Sequence, residues 1–192
     1  DNVYITGYFR KHNVDFDKST VYSDNRDLLT SHTSNNSADV FFAKYDSSGN
    51  YQWAYDIGSW KDDVGYGIAV DSDDNVYITG LFRRDNAEFD PLGGVHSIGS
   101  DGKPPSRLTA TSGSNSADVF LAKYDSDGVY QWAHDIGSWK DDVGYGIAVD
   151  SYDNVYITGA FRRANVEFDP AGVAHTPSSK LTATSTSNST DA

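Results

Sequence analysis

The stretch from Asp56 to Ser72 recurs without a single change from Asp135 to Ser151. A second block, Asn-Val-Tyr-Ile-Thr-Gly-x-Phe, begins at Asn2, at Asn75 and again at Asn154. A chain built this way is constrained before any residue is considered singly: each copy is one supersecondary unit that buries its apolar face against its neighbours. A functional group that belongs to the unit should therefore appear once per copy, whereas a group found in one copy alone reads as surface drift.

Four segments of the complete middle copy read as strands: Gly67 to Asp71, Asn75 to Phe82, Asp118 to Tyr124 and Tyr130 to Ile136. They are rich in Val, Ile, Tyr, Phe and Trp and are bounded by Asp, Ser, Asn and Gly, and nothing reads as a helix. In Asn75 to Phe82 both alternating faces carry bulk, Val76 and Ile78 on one and Tyr77 and Thr79 on the other, as expected of a sheet covered on both sides. Asp46-Ser47-Ser48-Gly49-Asn50 and Asp125-Ser126-Asp127-Gly128-Val129 place Asp at a turn entry and Gly where a left-handed residue is wanted. Asp71 to Asn75 and Asp150 to Asn154 repeat that length with Asp at the Gly position, which Asp tolerates better than most residues. Consecutive hairpins of this kind make an antiparallel meander. A longer connection runs from about Asp17 to Asp39 and from Asp90 to Asp118, and carries the variable Pro, Gly, Ser and Thr. It is expected to be a loop that the fold does not need, of the sort where recognition resides.

With 28 acidic against 15 basic residues and a formal net charge of −13, the chain lacks the cationic footprint that nucleic acid or an anionic membrane surface requires. Cysteine is absent, which excludes a disulfide framework and thiolate chemistry. No apolar run approaches the roughly 20 residues of a membrane-spanning helix. Methionine is absent too, and the sequence opens inside a repeat, so we expect a window from a longer polypeptide. The abundance of Tyr, Ser, Thr, Asn and Gly suits an extracellular or cell-surface protein.

Gly67-Ile68-Ala69-Val70-Asp71-Ser72 with Asn75-Val76-Tyr77-Ile78-Thr79-Gly80, then Asp118-Val119-Phe120-Leu121-Ala122-Lys123-Tyr124-Asp125 and Trp132, resembles the bacterial SBBP class of β-propeller repeat and, more distantly, NHL-type blades. Phe89-Asp90-Pro91 and Phe168-Asp169-Pro170 are similar to a variant found in large secreted and surface repeat proteins of bacteria; the first copy departs from it with Phe16-Asp17-Lys18. The resemblance implies an all-β fold of tandem four-stranded antiparallel blades, β-propeller-like and incomplete in this chain, with an open fibre of stacked sheets as the alternative. Residues 1–58 would be a partial blade holding strands two to four. Residues 59–137 would be a complete blade with its long loop at 91–117, and residues 138–192 a partial blade with strands one and two plus a long loop. The small residues of Gly67 to Asp71 would suit the inner strand, and the Trp-bearing strand would be outermost. Closed propellers have typically four to eight blades, so this chain would not close one alone.

Several residue sets recur and invite chemistry. Asp15 with Asp17, Glu88 with Asp90, and Glu167 with Asp169 alternate around a Phe, which puts both carboxylates on one side of an extended strand and makes them candidates for Ca²⁺. The competing reading has them capping turns or pairing with Arg10, Arg83 and Arg162. Asp62-Asp63 and Asp141-Asp142 stand at the passage between blades; they form a candidate acid pair, but turn capping there fits better, since identical blades give no asymmetry to separate acid from base. Histidine offers no Ser-His-Asp or paired-ligand pattern. Trp53, Trp132, Trp60 and Trp139 recur once per unit, and blade packing is the expected role of a repeated strand Trp. Trp60 and Trp139 are also the candidates for a sugar-binding platform. In the Ser/Thr-rich loops Asn35 and Asn188 match the N-glycosylation acceptor pattern, and Thr109, Thr111, Thr182 and Thr184 are candidates for O-linked sugar.

Taken together these features lead us to expect a non-enzymatic extracellular structural or adhesive repeat protein, part of a longer repetitive polypeptide or a self-assembling filament. Its partners would be copies of itself or further repeats, with glycans possible and neither nucleic acid nor membrane insertion. A lectin-like propeller is the alternative, and a propeller hydrolase or lyase the outsider.

Overall fold

The computed structural model describes residues 1–17, 28–31, 37–83, 86–93, 105–110, 116–162, 166–169 and 180–181. Among them every regular element is a strand. The complete blade is a four-stranded sheet in which β6 (Val64–Val70), β7 (Val76–Arg83), β10 (Ala117–Tyr124) and β11 (Tyr130–Ile136) pair in chain order. All three pairings are antiparallel, so this is the meander that the turn chemistry predicts. On one side of it lies a sheet of β1 (Val3–Phe9), β4 (Asp39–Tyr45) and β5 (Tyr51–Ile57), which are strands two to four of the preceding copy. On the other side lies a hairpin of β12 (Val143–Val149) and β13 (Val155–Ala160), strands one and two of the next. β6 packs between β1 and β12, which fixes the order of the three units.

The turns form for the reason their residues suggest. Asp46 Oδ1 accepts the N–H groups of Ser48 and Asn50 at 2.8 and 2.9 Å, and Gly49 takes φ +83°. At the connection between strands one and two, which has the same length, Asp74 and Asp153 occupy the left-handed region at φ 63° and 62°, in the Gly position of the other turn. Asp71 and Asp150 serve as the capping acceptors there.

Strand one is longer than Gly67 to Asp71: it begins at Val64 and is interrupted by a register shift between Gly65 and Gly67 that leaves Tyr66 exposed. The Gly-Tyr-Gly run, which reads as a strand boundary, is a bulge within the strand. Gly67 lies against Ile147 of the next inner strand, where a Cβ would meet Ile147 Cγ2 at 3.1 Å, so the small residue serves close approach of neighbouring blades.

The long connection is not dispensable. It contributes β9 (Arg107–Leu108), which pairs with β8 (Ala87–Glu88), and the same ladder recurs as β2 (Val14–Asp15) with β3 (Leu28–Leu29), and as β14 (Val166–Glu167) with β15 (Lys180–Leu181). Leu108 and Ala110 are buried in the main core, and Leu29 is buried in the core of the first sheet. The Tyr130 hydroxyl donates to Pro105 O at 2.7 Å and the Tyr124 hydroxyl to Phe89 O at 2.8 Å. A segment that looks polar and variable thus returns at its exit to close the blade, a role set by tertiary packing that the local pattern does not display.

The main core runs across the interface between the first two units. Val40, Phe42 and Ile57 of the first interleave with Val76, Ile78, Phe82, Phe89, Phe120, Tyr124 and Tyr130 of the second. Phe42 and Tyr124 approach to 4.4 Å between ring centroids. At about 25 cal/mol per Å² of apolar surface removed from water, large aromatic and aliphatic side chains of this kind supply the main driving force for stacking one blade on the next.

Candidate functional site

The recurring polar constellation lies where the chain passes from one blade to the next, at Gly58-Ser59-Trp60-Lys61-Asp62-Asp63 and at Gly137-Ser138-Trp139-Lys140-Asp141-Asp142. Ser59 Oγ accepts the Lys61 N–H at 3.2 Å and donates to Arg83 O at 3.0 Å, which bends the chain and holds Trp60 outward. Asp62 Oδ1 accepts the Ala38 N–H at 2.8 Å and an Arg10 guanidinium N–H at 3.1 Å, so this carboxylate grips the blade behind it. The Asp63 N–H donates to Ala38 O at 2.8 Å, while its Oδ1 accepts the Arg83 N–H at 2.9 Å, gripping the blade ahead. Each bond of the two aspartates has its counterpart at the second junction: Asp141 with Ala117 at 2.9 Å and Arg83 at 3.1 Å, Asp142 with Ala117 O at 2.8 Å and Arg162 N–H at 3.1 Å.

Asp39 and Asp63 are both buried at the first junction, as are Asp118 and Asp142 at the second. Burial raises the Asp63 carboxyl to about 7 against the pull of the Arg83 N–H, and the nearby Asp39 charge pushes the same way. Asp142 is raised by burial in the same direction. The Asp39 carboxyl lies over Gly58, where a Cβ would stand 2.5 Å from its Cγ, and Asp118 lies over Gly137 in the same manner. These carboxylates are spent on backbone groups and interior packing, and the arrangement is a clasp between blades.

The tryptophans divide into two kinds. Trp53 packs against Phe42 and stacks on Tyr55 at 5.3 Å, and Trp132 lies against Tyr77 and His134, as expected of blade packing. Trp60 and Trp139 are 70% and 77% exposed. The clasp presents one solvent-facing indole per junction on a turn held by Ser59, Asp62 and Asp63, or by their counterparts. Burial lowers the pKa of His134 beside Trp132, against the opposing pull of the Asp135 charge.

The alternating carboxylates are brought together in pairs, but the first of each turns back on the chain. Asp15 Oδ1 accepts the Asp17 N–H at 2.9 Å, Glu88 Oε1 the Asp90 N–H at 3.1 Å, and Glu167 Oε1 the Asp169 N–H at 3.1 Å. Glu88 Oε2 also pairs with Arg107 Nε at 2.8 Å. The short ladder strands end at Asp15, Glu88 and Glu167, so the two side chains do not continue an extended alternation. Among the described residues no three Asp, Glu or His converge as a metal site would need. Thr109 is exposed; Asn35, Thr111, Thr182, Thr184 and Asn188 lie outside the described residues.

Fold and junction together define a protein of tandem four-stranded antiparallel blades joined by one repeated clasp. Residues 52–81 and 131–160 each match the family model SBBP, a beta-propeller repeat, and these two stretches are SBBP-type β-propeller repeats. Each match runs from a fourth strand through the clasp into the second strand of the next blade. The chain is 27% identical over 177 residues to the uncharacterized WD repeat-containing protein L264 of Acanthamoeba polyphaga mimivirus, an alignment covering 88% of this chain and 12% of that protein. It is 26% identical over 138 residues to the regulatory protein FlaEY of Caulobacter vibrioides, covering 70% of this chain and 13% of the relative. The chain thus spans a small part of the length of both curated relatives.

Proposed function

We propose that this chain is a non-enzymatic extracellular scaffold, structural or adhesive, that forms part of a longer array of blades or a self-assembling filament. The observation that carries this reading is the equivalence of the two junctions. Asp62 and Asp141, and likewise Asp63 and Asp142, make the same bonds to the same backbone positions. A catalytic site on such a framework needs blades that differ, so that one place acquires an acid and another a base; equivalent blades serve repetition instead. The acidic surface and the Ser, Thr and Asn content agree with a secreted setting. The test is a panel of esterase, glycosidase, phosphatase and polysaccharide-lyase substrates offered to the chain and to an Asp62→Asn, Asp141→Asn double variant. No turnover above background is expected from either; turnover by the parent that the double variant loses would overturn the scaffold reading.

The exposure of Trp60 and Trp139 favours a second reading, a glycan-binding blade array in which each indole is a stacking platform for a sugar ring. Tryptophan fluorescence titrated with a series of oligosaccharides would then change saturably in the parent and not in a Trp60→Ala, Trp139→Ala variant. A flat titration in the parent would remove this reading.

A further inference from the structure

Tyr66 and Tyr145 hold the same place in the repeat, the middle of the Gly-Tyr-Gly bulge in the inner strand. The register shifts between Gly65 and Gly67 and between Gly144 and Gly146, so neither tyrosine has a cross-strand partner in its own sheet. β6 is an edge strand of the four-stranded sheet, and the bulge sets Tyr66 outside the ladder, where it is 48% exposed; Tyr145 is 56% exposed. The two inner strands approach closely where their small residues meet: a Cβ at Gly67 would stand 3.1 Å from the Ile147 backbone nitrogen and 3.3 Å from Gly146 Cα. That approach brings the two phenol rings together across the blade junction, 5.8 Å between centroids and inclined at 63°.

Among the described residues two other tyrosine pairs come nearly as close, and both are engaged otherwise. Tyr45 and Tyr51 lie 6.1 Å apart, and Tyr124 and Tyr130 lie 6.2 Å apart. The Tyr45 hydroxyl donates to Phe16 O at 2.9 Å, and the hydroxyls of the buried Tyr124 and Tyr130 donate to Phe89 O and Pro105 O. No bond of this kind holds the Tyr66 or Tyr145 hydroxyl among the described residues. The composition adds an independent reason to single out this pair. Cysteine and methionine, whose sulfur takes up oxidants first, are both absent, so one-electron oxidation of this chain falls on its exposed aromatic rings.

We propose that Tyr66 and Tyr145 are the site of a dityrosine cross-link that joins adjacent inner strands covalently, formed when a peroxidase acting with hydrogen peroxide oxidises the pair. Each phenol loses one electron and one proton to give a phenoxyl radical. The two radicals join through the ring carbons ortho to oxygen, and the hydrogens on those carbons pass to the two oxygens, which restores both phenols. The peroxide accepts the two electrons and two protons and leaves as two waters. Exposed side chains change rotamer within picoseconds to nanoseconds, so rings at this separation reach edge-to-edge contact within the life of a radical. The inference rests on the scaffold reading for its purpose alone, since a locked junction serves an array of blades.

The test treats the 192-residue chain, at high dilution, with a haem peroxidase and hydrogen peroxide. Dityrosine fluorescence should appear in the monomer, whose mass should fall by two hydrogens, and tandem mass spectrometry should place the link between Tyr66 and Tyr145. Tyr66→Phe and Tyr145→Phe keep the ring and remove the hydroxyl. Each should reduce the fluorescence of the monomer to background while leaving the melting transition near that of the parent. Tyr8→Phe, which alters an exposed tyrosine outside the pair, should leave the yield unchanged. The linked chain should unfold at a higher urea concentration, because the link limits the unfolded ensemble as a disulfide does. A link mapped to another pair, fluorescence that survives in Tyr66→Phe, links between chains only, oxygen added at Trp60 or Trp139 without a link, or no rise in the urea midpoint would overturn the proposal. Those failures would leave the scaffold reading intact, whereas catalytic turnover lost in the Asp62→Asn, Asp141→Asn variant would remove that reading and leave the cross-link untouched.

Discussion

Replacement of Asp63 by Asn probes the clasp where its energetics are most sensitive to pH. Asp63 is 1% exposed; its Oδ1 is engaged by the Arg83 N–H, and its Oδ2 is buried without a hydrogen-bond partner. Burial, reinforced by the Asp39 charge, raises its pKa from 3.8 to about 7. The folded chain therefore holds a proton between pH 4 and pH 7 that the unfolded chain has released. The associated stability is fully present below about pH 4 and is lost as pH rises through the folded value near 7. Integrated from pH 5 to pH 8, the loss at this one residue is on the order of 3 kcal/mol. Asparagine keeps an oxygen for the Arg83 N–H and carries no titrating proton, so this contribution to the pH slope vanishes. Urea unfolding of parent and variant at pH 5 and pH 8 should show the variant gaining on the order of 3 kcal/mol on the parent over that interval, or roughly 5–10 °C in melting temperature for a chain of this size. Comparison of the two proteins cancels the slope from other groups. If the two stability curves run parallel from pH 5 to pH 8, the buried-carboxyl account of the junction is wrong.

Further outcomes follow from the same packing. Gly58→Ala would place a methyl 2.5 Å from Asp39 Cγ, inside van der Waals contact, and should lower stability by about 1–3 kcal/mol in thermal unfolding. Phe120→Ala removes a fully buried ring from the main core and should cost about 3–5 kcal/mol, measured by denaturant titration. Trp60→Ala should change stability by no more than about 0.5 kcal/mol, because its indole is solvent-facing. Chelator should leave the melting temperature unchanged, since Asp15, Glu88 and Glu167 are engaged by backbone N–H groups; a fall restored by Ca²⁺ would contradict that assignment.

Strand order was legible because each hairpin announces itself locally. Asp46 and Asp71 cap their turns with their own carboxylates, and Gly49 and Asp74 supply the left-handed residue, so the meander follows from short-range chemistry. The junction was visible as a recurring Asp-Asp pair expected to cap a turn; that its carboxylates reach Ala38 in one blade and Arg83 in the next depends on how the blades pack. What remained hidden depends on distant partners. Tyr66 sits in a bulge that only pairing with β7 reveals, and Leu108 enters the core only because β9 returns to β8. Trp53 and Trp60 look alike in a repeat, and their different exposure is decided by the bend at Ser59. Asn13 and Asn86, at φ 56° and 63°, share one place in the repeat; an Asn so placed is the signal from which the reversal into the small ladders could have been anticipated.

Amide hydrogen exchange at Ala38, Asp63 and Arg83 and at their counterparts Ala117, Asp142 and Arg162 tests whether one clasp joins the blades at both junctions. Slow exchange is expected at all six, with the two junctions protected to similar degrees, because each amide donates across or into the junction. Rapid exchange at these amides alongside protected strands would show that the blades are stacked without the clasp, and would contradict it.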